Sequence, residues 1–336
     1  MKANRKFSVL GTVLTALVFG LLVISAGAMF MYFSPLDPPM AVEQENTPAP
    51  AVVAAAENIA PENNQKAQEV CGNTGSMLVL FTGEDFSKGV APLGADSVRV
   101  VKVDFSNKKI IVVGFPRDLW VKTAGLAGQN FPETRLGLAY HYKKEATSGS
   151  DQHKITTATT QIAQALYDNF GLRPDKYLTI QLQNTPAFID TIGGLDINVP
   201  QAFTSQYGVS FTAGTQHMDG AKATEYVRSW SEDKKEGDLL RFPRQNVFIK
   251  AVQDKVLTSD ILAKVPDLYK QFDKSIVTDL SPKQIADLAC MAKEVPQKDI
   301  TFHEIVPTDL VTEQADRALM PNVEKIKAAL KAWFDL

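Results

Sequence analysis

Three arginines crowd one short polar stretch of this chain. Arg228 stands in Tyr226-Val-Arg228-Ser-Trp230, and Arg241 and Arg244 follow in Gly237-Asp238-Leu-Leu-Arg241-Phe-Pro-Arg244-Gln245. Like charges repel at such spacing unless an anion lies between them, and the planar guanidinium grips phosphate in a two-pronged manner that lysine cannot reproduce. A fourth arginine of the same kind, Arg117, ends an apolar run in Phe115-Pro116-Arg117-Asp118. Together these residues suggest a pocket for a diphosphate. Read without Arg117, the arginine stretch is equally compatible with a solvated charged loop.

Two aspartates supply the complementary chemistry. Asp85 follows an apolar strand after Gly83-Glu84, and Asp96 precedes the next strand. Both are expected on loops at strand ends, where open α/β sheets commonly hold ligands. Mg2+ takes one or two carboxylates together with phosphate oxygens and water, so the pair could hold one such ion. A zinc centre is not expected. His141, His153, His217 and His303 are scattered, and the two cysteines, Cys71 and Cys290, lack metal-site spacing.

The elements that must position these groups are legible in outline. Met77–Thr82, Ser97–Asp104 and Ile110–Gly114 read as strands, the last two as a hairpin around Ser-Asn-Lys-Lys. Ile155–Phe170 has helical periodicity and stops at Gly171. A strand is predicted at Tyr177–Gln181, a short helix at Pro186–Ile192 and a strand at Leu195–Val199. Helices are predicted at Asp219–Ser229, at Arg244–Leu257, after an N-capping Ser281, and at Pro321–Leu336, with a strand at Ile300–Val306. Mixed alternation of this kind implies an α/β domain, a layered α-β-α arrangement around a central mixed sheet. No internal repeat is visible, and no separate chemistry is expected after Leu257.

The N-terminus addresses the compartment. Lys2, Arg5 and Lys6 precede an uncharged run over residues 7–33, which as a helix would reach about 40 Å, enough to cross a bilayer core. The expectation is one transmembrane helix with residues 1–6 in the cytoplasm and the rest outside the cell membrane. A cleaved signal ending near Ser25-Ala-Gly-Ala28 is the alternative. Residues 34–75 are rich in Pro, Ala, Glu and Asn and read as a flexible linker. Residues 76–336 suffice for one domain with a substantial core. A net charge of −3 argues against nucleic acid as a partner. On the outer side Cys71 and Cys290 are compatible with one disulfide or with two buried thiols.

In order, the chain presents Gly83-x-Asp85, Ala95-Asp96-Ser97, Pro116-Arg117-Asp118, Arg135-Leu-Gly-Leu-Ala139-Tyr140, Gly193-Gly194-Leu-Asp-Ile-Asn-Val199-Pro200, Tyr226-Val-Arg228 and Asp238-x-x-Arg241-x-x-Arg244-Gln245. From about residue 77 to 257 this series resembles the extracytoplasmic domain of the LytR-CpsA-Psr family. The resemblance implies transfer of a glycopolymer from a polyprenyl diphosphate carrier to peptidoglycan or another cell-wall acceptor, with Mg2+ held by Asp85 and Asp96. It implies diphosphate contacts from Arg117, Arg135, Arg228, Arg241, Arg244 and Gln245. Asp118 and Asp238 are the candidate bases for the acceptor hydroxyl, Asp118 having orientation of Arg117 as its other role; Arg117 and Arg241 would stabilise the charge that develops. Three positions depart from the family pattern: Gly94 replaces a basic residue, Trp230 replaces an arginine, and Phe115 is bulkier than usual. The two lost charges open the reading of an inactive binding homologue, and the same pocket with water as nucleophile would instead hydrolyse the lipid diphosphate. Trp230 is expected to stack on a sugar.

Overall fold

The computed structural model describes residues 71–84, 94–124, 126, 131–229, 241–256, 275–314 and 316–335. The expected membrane run 7–33 and residues 34–70 of the linker lie outside them. Among the described residues no helix is long and apolar enough to cross a membrane.

Six strands make the main sheet: β1 (Ser76–Glu84), β2 (Ala95–Asp104), β3 (Lys109–Phe115), β4 (Lys176–Gln181), β5 (Ile276–Thr278) and β6 (Ile300–Glu304). Their spatial order is β5-β4-β1-β2-β3-β6. β1–β2 and β2–β3 are antiparallel, β4 runs parallel to β1, β6 parallel to β3, and β5 antiparallel to β4. The sheet is therefore mixed, and its two faces each bury a core. On β2, Val98 and Val100 point to one side and Val101 and Val103 to the other, as the two-residue period of a strand requires. The first face is covered by α1 (Leu136–Ala146), α2 (Asp151–Phe170) and α7 (Val323–Phe334). The second is covered by α3 (Thr185–Thr191), α4 (Gly220–Arg228), α5 (Arg241–Val256) and α6 (Pro282–Glu294). This is the layered α-β-α arrangement expected from the pattern.

Local signals explain most boundaries. α2 begins four residues before the predicted start because Ser150 accepts a hydrogen bond from the His153 amide, and it ends at Gly171 with φ 71°. Ser281 and Gln284 form a reciprocal capping box that opens α6. Two expectations need correction. α1 went unseen because its buried residues, Leu136, Gly137, Ala139 and Tyr140, all fall in its first turn and a half, too short a stripe for periodicity to show. The last helix starts at Val323 and not at Pro321, because Asn322 caps it and Leu319–Pro321 pairs as a strand with Val311–Glu313.

Two long-range ties fix the ends of the domain. Lys102, buried in β2, donates to the carbonyl of Phe334 at the C-terminus of α7, where a cation meets the negative end of the helix dipole. Cys71 and Cys290 form a disulfide across 219 residues with a Cα–Cα distance of 5.6 Å. This settles the choice that the sequence left open. Closing a loop of that length stabilises the fold by roughly 5 kcal/mol in the chain-entropy account.

Candidate functional site

The site is built where β1 and β3 end and β2 begins. Glu84 pairs with Ala95 and Gly83 with Ser97, so the register slips and Asp96 is the extra residue. Asp96 thus lies inside β2, at a bulge, and not on a loop as its sequence context suggested. A bulge re-aims a side chain, and Asp96 accepts a 2.5 Å hydrogen bond from Arg117 Nη1. Arg117 is 7% exposed and Asp96 12%. Asp118 stands between two guanidiniums, its Oδ2 3.9 Å from Arg117 Nε and its Oδ1 3.6 Å from Arg135 Nε. Arg135 reaches on to Asp316, donating to its carbonyl at 2.7 Å and to its carboxylate at 3.2 Å. A cavity of about 190 Å³ opens here, lined by Arg117, Asp118, Arg135, Leu138, Asp316 and Arg317 among others.

Glycine makes this crowding possible. The Gly137 amide donates to the Arg117 carbonyl at 2.8 Å, and a Cβ on Gly137 would stand 2.9 Å from both Arg117 Cβ and the Ala95 carbonyl. Gly94 has φ +80°, and a Cβ there would lie 2.0 Å from the Gly137 carbonyl. A residue with a side chain therefore has no room at this position. Read from sequence, Gly94 is a lost charge; in the fold it is the close approach that seats α1 against the Arg117 loop.

A second group of the residues singled out in sequence lies on α5, which packs on the opposite face of the sheet from α1. The first turn of α5 carries Arg241, Arg244 and Gln245 and no acidic residue. The Arg244 guanidinium sits 4.6 Å over the Phe203 ring. Phe203 stacks on Phe211 at 4.8 Å, and Phe211 meets Tyr226 edge-on at 5.5 Å. Burial pushes the Tyr226 phenol up, partly offset by the charge of Arg244. Arg228 is the last residue of α4, two positions beyond Tyr226. Gln245 accepts a 3.1 Å hydrogen bond from Arg99 Nη2, and Asn246 donates to Glu304 on β6 at 2.8 Å.

Next to the bulge lies a buried acid. Glu84 is fully buried, accepts a hydrogen bond from Lys144 of α1, and lies 3.5 Å from Gln181 Nε2. Burial raises its carboxyl despite the pairing with Lys144. The Tyr140 phenol is raised well above its usual value by burial and by the neighbouring Glu84.

The model of the LytR-CpsA-Psr family (LytR_cpsA_psr) matches residues 49–332. The chain belongs to the LytR-CpsA-Psr family. Among curated relatives, the polyisoprenyl-teichoic acid–peptidoglycan teichoic acid transferase TagV of Bacillus subtilis is 26% identical over 269 residues, covering 76% of this chain and 64% of TagV. TagU of Oceanobacillus iheyensis is 23% identical, covering 68% of this chain and 66% of TagU. The chain thus spans just under two thirds of the length of these relatives. The crystal structure of B. subtilis TagV superposes with a TM-score of 0.58 at 24% identity over 78% of this chain and 98% of that one. A structure of TagT bound to LIIa-WTA gives 0.56 at 20% identity, over 78% and 92%. These likenesses show the LytR-CpsA-Psr fold.

Of the residues singled out in sequence, the fold brings Asp96, Arg117, Asp118 and Arg135 into direct contact. It sets Arg244 and Gln245 side by side on α5, which Arg241 opens, and Arg228 at the end of α4. Asp85, Asp238 and Trp230 lie outside the described residues. Sequence reading missed two contributors. Arg99 could have been found as a charged residue in the valine run Ser97-Val-Arg-Val-Val, on a face that must be buried. Asp316 had no local signal, and through its contact with Arg135 the region after Leu257 reaches the cavity as well as completing the fold.

Proposed function

We propose that this protein transfers a glycopolymer, with its phosphate, from a polyprenyl diphosphate carrier to a hydroxyl of peptidoglycan or another wall acceptor. The reading rests on family membership and above all on one observation: Arg117, nearly sealed from solvent, is held between Asp96 and Asp118 at the end of β3. An arginine fixed at both ends loses little further freedom when it meets a phosphate, the preorganisation that charge stabilisation requires.

In the proposed reaction the acceptor oxygen attacks the phosphorus that carries the glycan. The bond from that phosphorus to the bridging oxygen breaks, polyprenyl monophosphate leaves, and the hydroxyl proton passes to a base. Such transfer asks little covalent work of the protein and much alignment and charge stabilisation. Arg117, Arg228, Arg241 and Arg244 would share the charge on the phosphate oxygens, and Gln245 would add a neutral donor. Asp118, turned toward two guanidiniums, is best suited to orient Arg117 and Arg135; Asp238 is then the candidate base. The hard oxygen donor of Asp96 at the bulge fits Mg2+, which Asp96 would hold with Asp85. When bound, the ion would withdraw charge from the phosphate oxygens. Anchored by residues 7–33, the domain would meet a lipid-borne donor at the outer membrane face.

The test uses the full chain in detergent with a short-chain polyprenyl diphosphate oligosaccharide and peptidoglycan fragments, with and without Mg2+. Release of polyprenyl monophosphate together with a heavier acceptor supports transfer. Release without acceptor gain means hydrolysis, and binding without release means a carrier-lipid binding protein; either overturns the proposal.

A further inference from the structure

We infer that Arg99 is a positioning residue, which locks the Gln245 side-chain amide with its NH2 end offered to the donor diphosphate. The inference rests on the proposed function and concerns a residue in the middle of β2. A guanidinium has only donors. Facing Arg99 Nη2 at 3.1 Å, Gln245 can present only its carbonyl oxygen, which leaves the amide nitrogen at the opposite end. Arg99 itself is 1% exposed, too deep to act on substrate directly. Its guanidinium lies 5.4 Å over the Phe242 ring, in a slot that the absence of a side chain at Gly114 keeps open: a Cβ there would stand 3.0 Å from Phe242 and 3.5 Å from Arg99 Nη1.

A buried arginine is costly where an apolar side chain would pack as well, so its presence calls for a use. Glu304 on β6 faces it electrostatically and is itself held by Asn246. Residues 245 and 246 are thus tied from beneath by β2 and β6, at the turn of α5 that carries Arg244. Without Arg99 the amide could rotate and present its carbonyl oxygen to the phosphates, a repulsive contact.

The experiment compares wild type, Arg99→Met, Arg99→Lys, Gln245→Ala, Gln245→Glu and Arg99→Met/Gln245→Ala as full chains. It reads KM and kcat for the oligosaccharide donor, calorimetric affinity for inorganic pyrophosphate, and melting temperature. Arg99→Met should raise the donor KM about tenfold, the value of one hydrogen bond to a charged group, while Arg99→Lys, also donor-only, stays within about threefold. In the Gln245→Ala background the methionine should add less than about twofold, because coupled residues are not additive. An equal loss in both backgrounds, or a lowered melting temperature with unchanged KM and pyrophosphate affinity, would overturn the inference. If Arg99→Met does not fold, Gln245→Glu decides: it keeps the bond to Arg99 but turns an oxygen toward the phosphates, and wild-type affinity in that variant is the overturning result. A wild type that binds pyrophosphate without transferring would defeat the proposed function and leave this inference readable from binding alone.

Discussion

The two groups of candidate residues, one beside β3 and one on α5, hold their arginines by different means. On the β3 side Arg117 and Arg135 are knitted to Asp96, Asp118 and Asp316. On the α5 side Arg244 lies on an aromatic face and Gln245 is held by a buried arginine. A carboxylate fixes direction and adds a counter-charge; an aromatic ring or an amide fixes direction without adding one of its own. The first arrangement makes a rigid charged network. The second seats a guanidinium on a ring and an amide on a buried arginine.

The contrast can be broken from either side. Arg117→Ala should produce the largest effect, a fall in kcat of roughly a hundredfold or more, as for loss of a preorganised donor to a developing charge. An unchanged kcat in steady-state transfer assays would remove Arg117 from the chemistry. Gly94→Arg, which introduces the basic residue that the sequence resemblance led one to expect, should cost about 3 kcal/mol of stability through a disallowed φ and a clash with the Gly137 carbonyl. A denaturant midpoint equal to wild type would show that the α1 contact can shift. Arg244→Ala should act mainly on KM, by about tenfold, with Arg244→Lys only partly rescuing it because an ammonium stacks less well on Phe203. Asp316→Ala should change turnover by no more than about threefold, since its carboxylate is largely exposed.

The smallest effect concerns the buried acid beside the bulge. The Glu84 carboxyl is raised above its ordinary value of 4.5, so the folded state binds that proton more tightly than the unfolded chain. Its contribution is fully present below pH 4.5 and is lost as pH rises through the folded value. The stability of wild type relative to Glu84→Gln should therefore decline over that window. Melting curves of the two proteins at stepped pH check this, and parallel curves would show that pairing with Lys144 cancels the effect of burial on Glu84.

Much of the fold was legible because its signals are local. Valine alternation marked β2 and β3, and Ser281-Pro marked the start of α6. Gly171 marked the end of α2. α1 was not legible, because a helix buried only at its start carries no stripe. In the site, arginine clustering and motif order pointed to Arg117, Arg228, Arg241 and Arg244 before any contact was known. They could not show that Asp96 sits on a bulge, since a bulge is a mismatch between two strands and belongs to neither sequence alone.

By itself the sequence pointed to the family through the order of its motifs, and it determined the α/β class and the residue types that a diphosphate would need, because these two follow from periodicity and from which side chains are present. Only the tertiary structure decided how those residues are used. Gly94 became a packing necessity, Cys71 met Cys290 across 219 residues, and Asp316 joined Arg135. Arg99 came to lie beneath Gln245. Each of these depends on pairs far apart in the chain, and such pairs leave no mark on local composition.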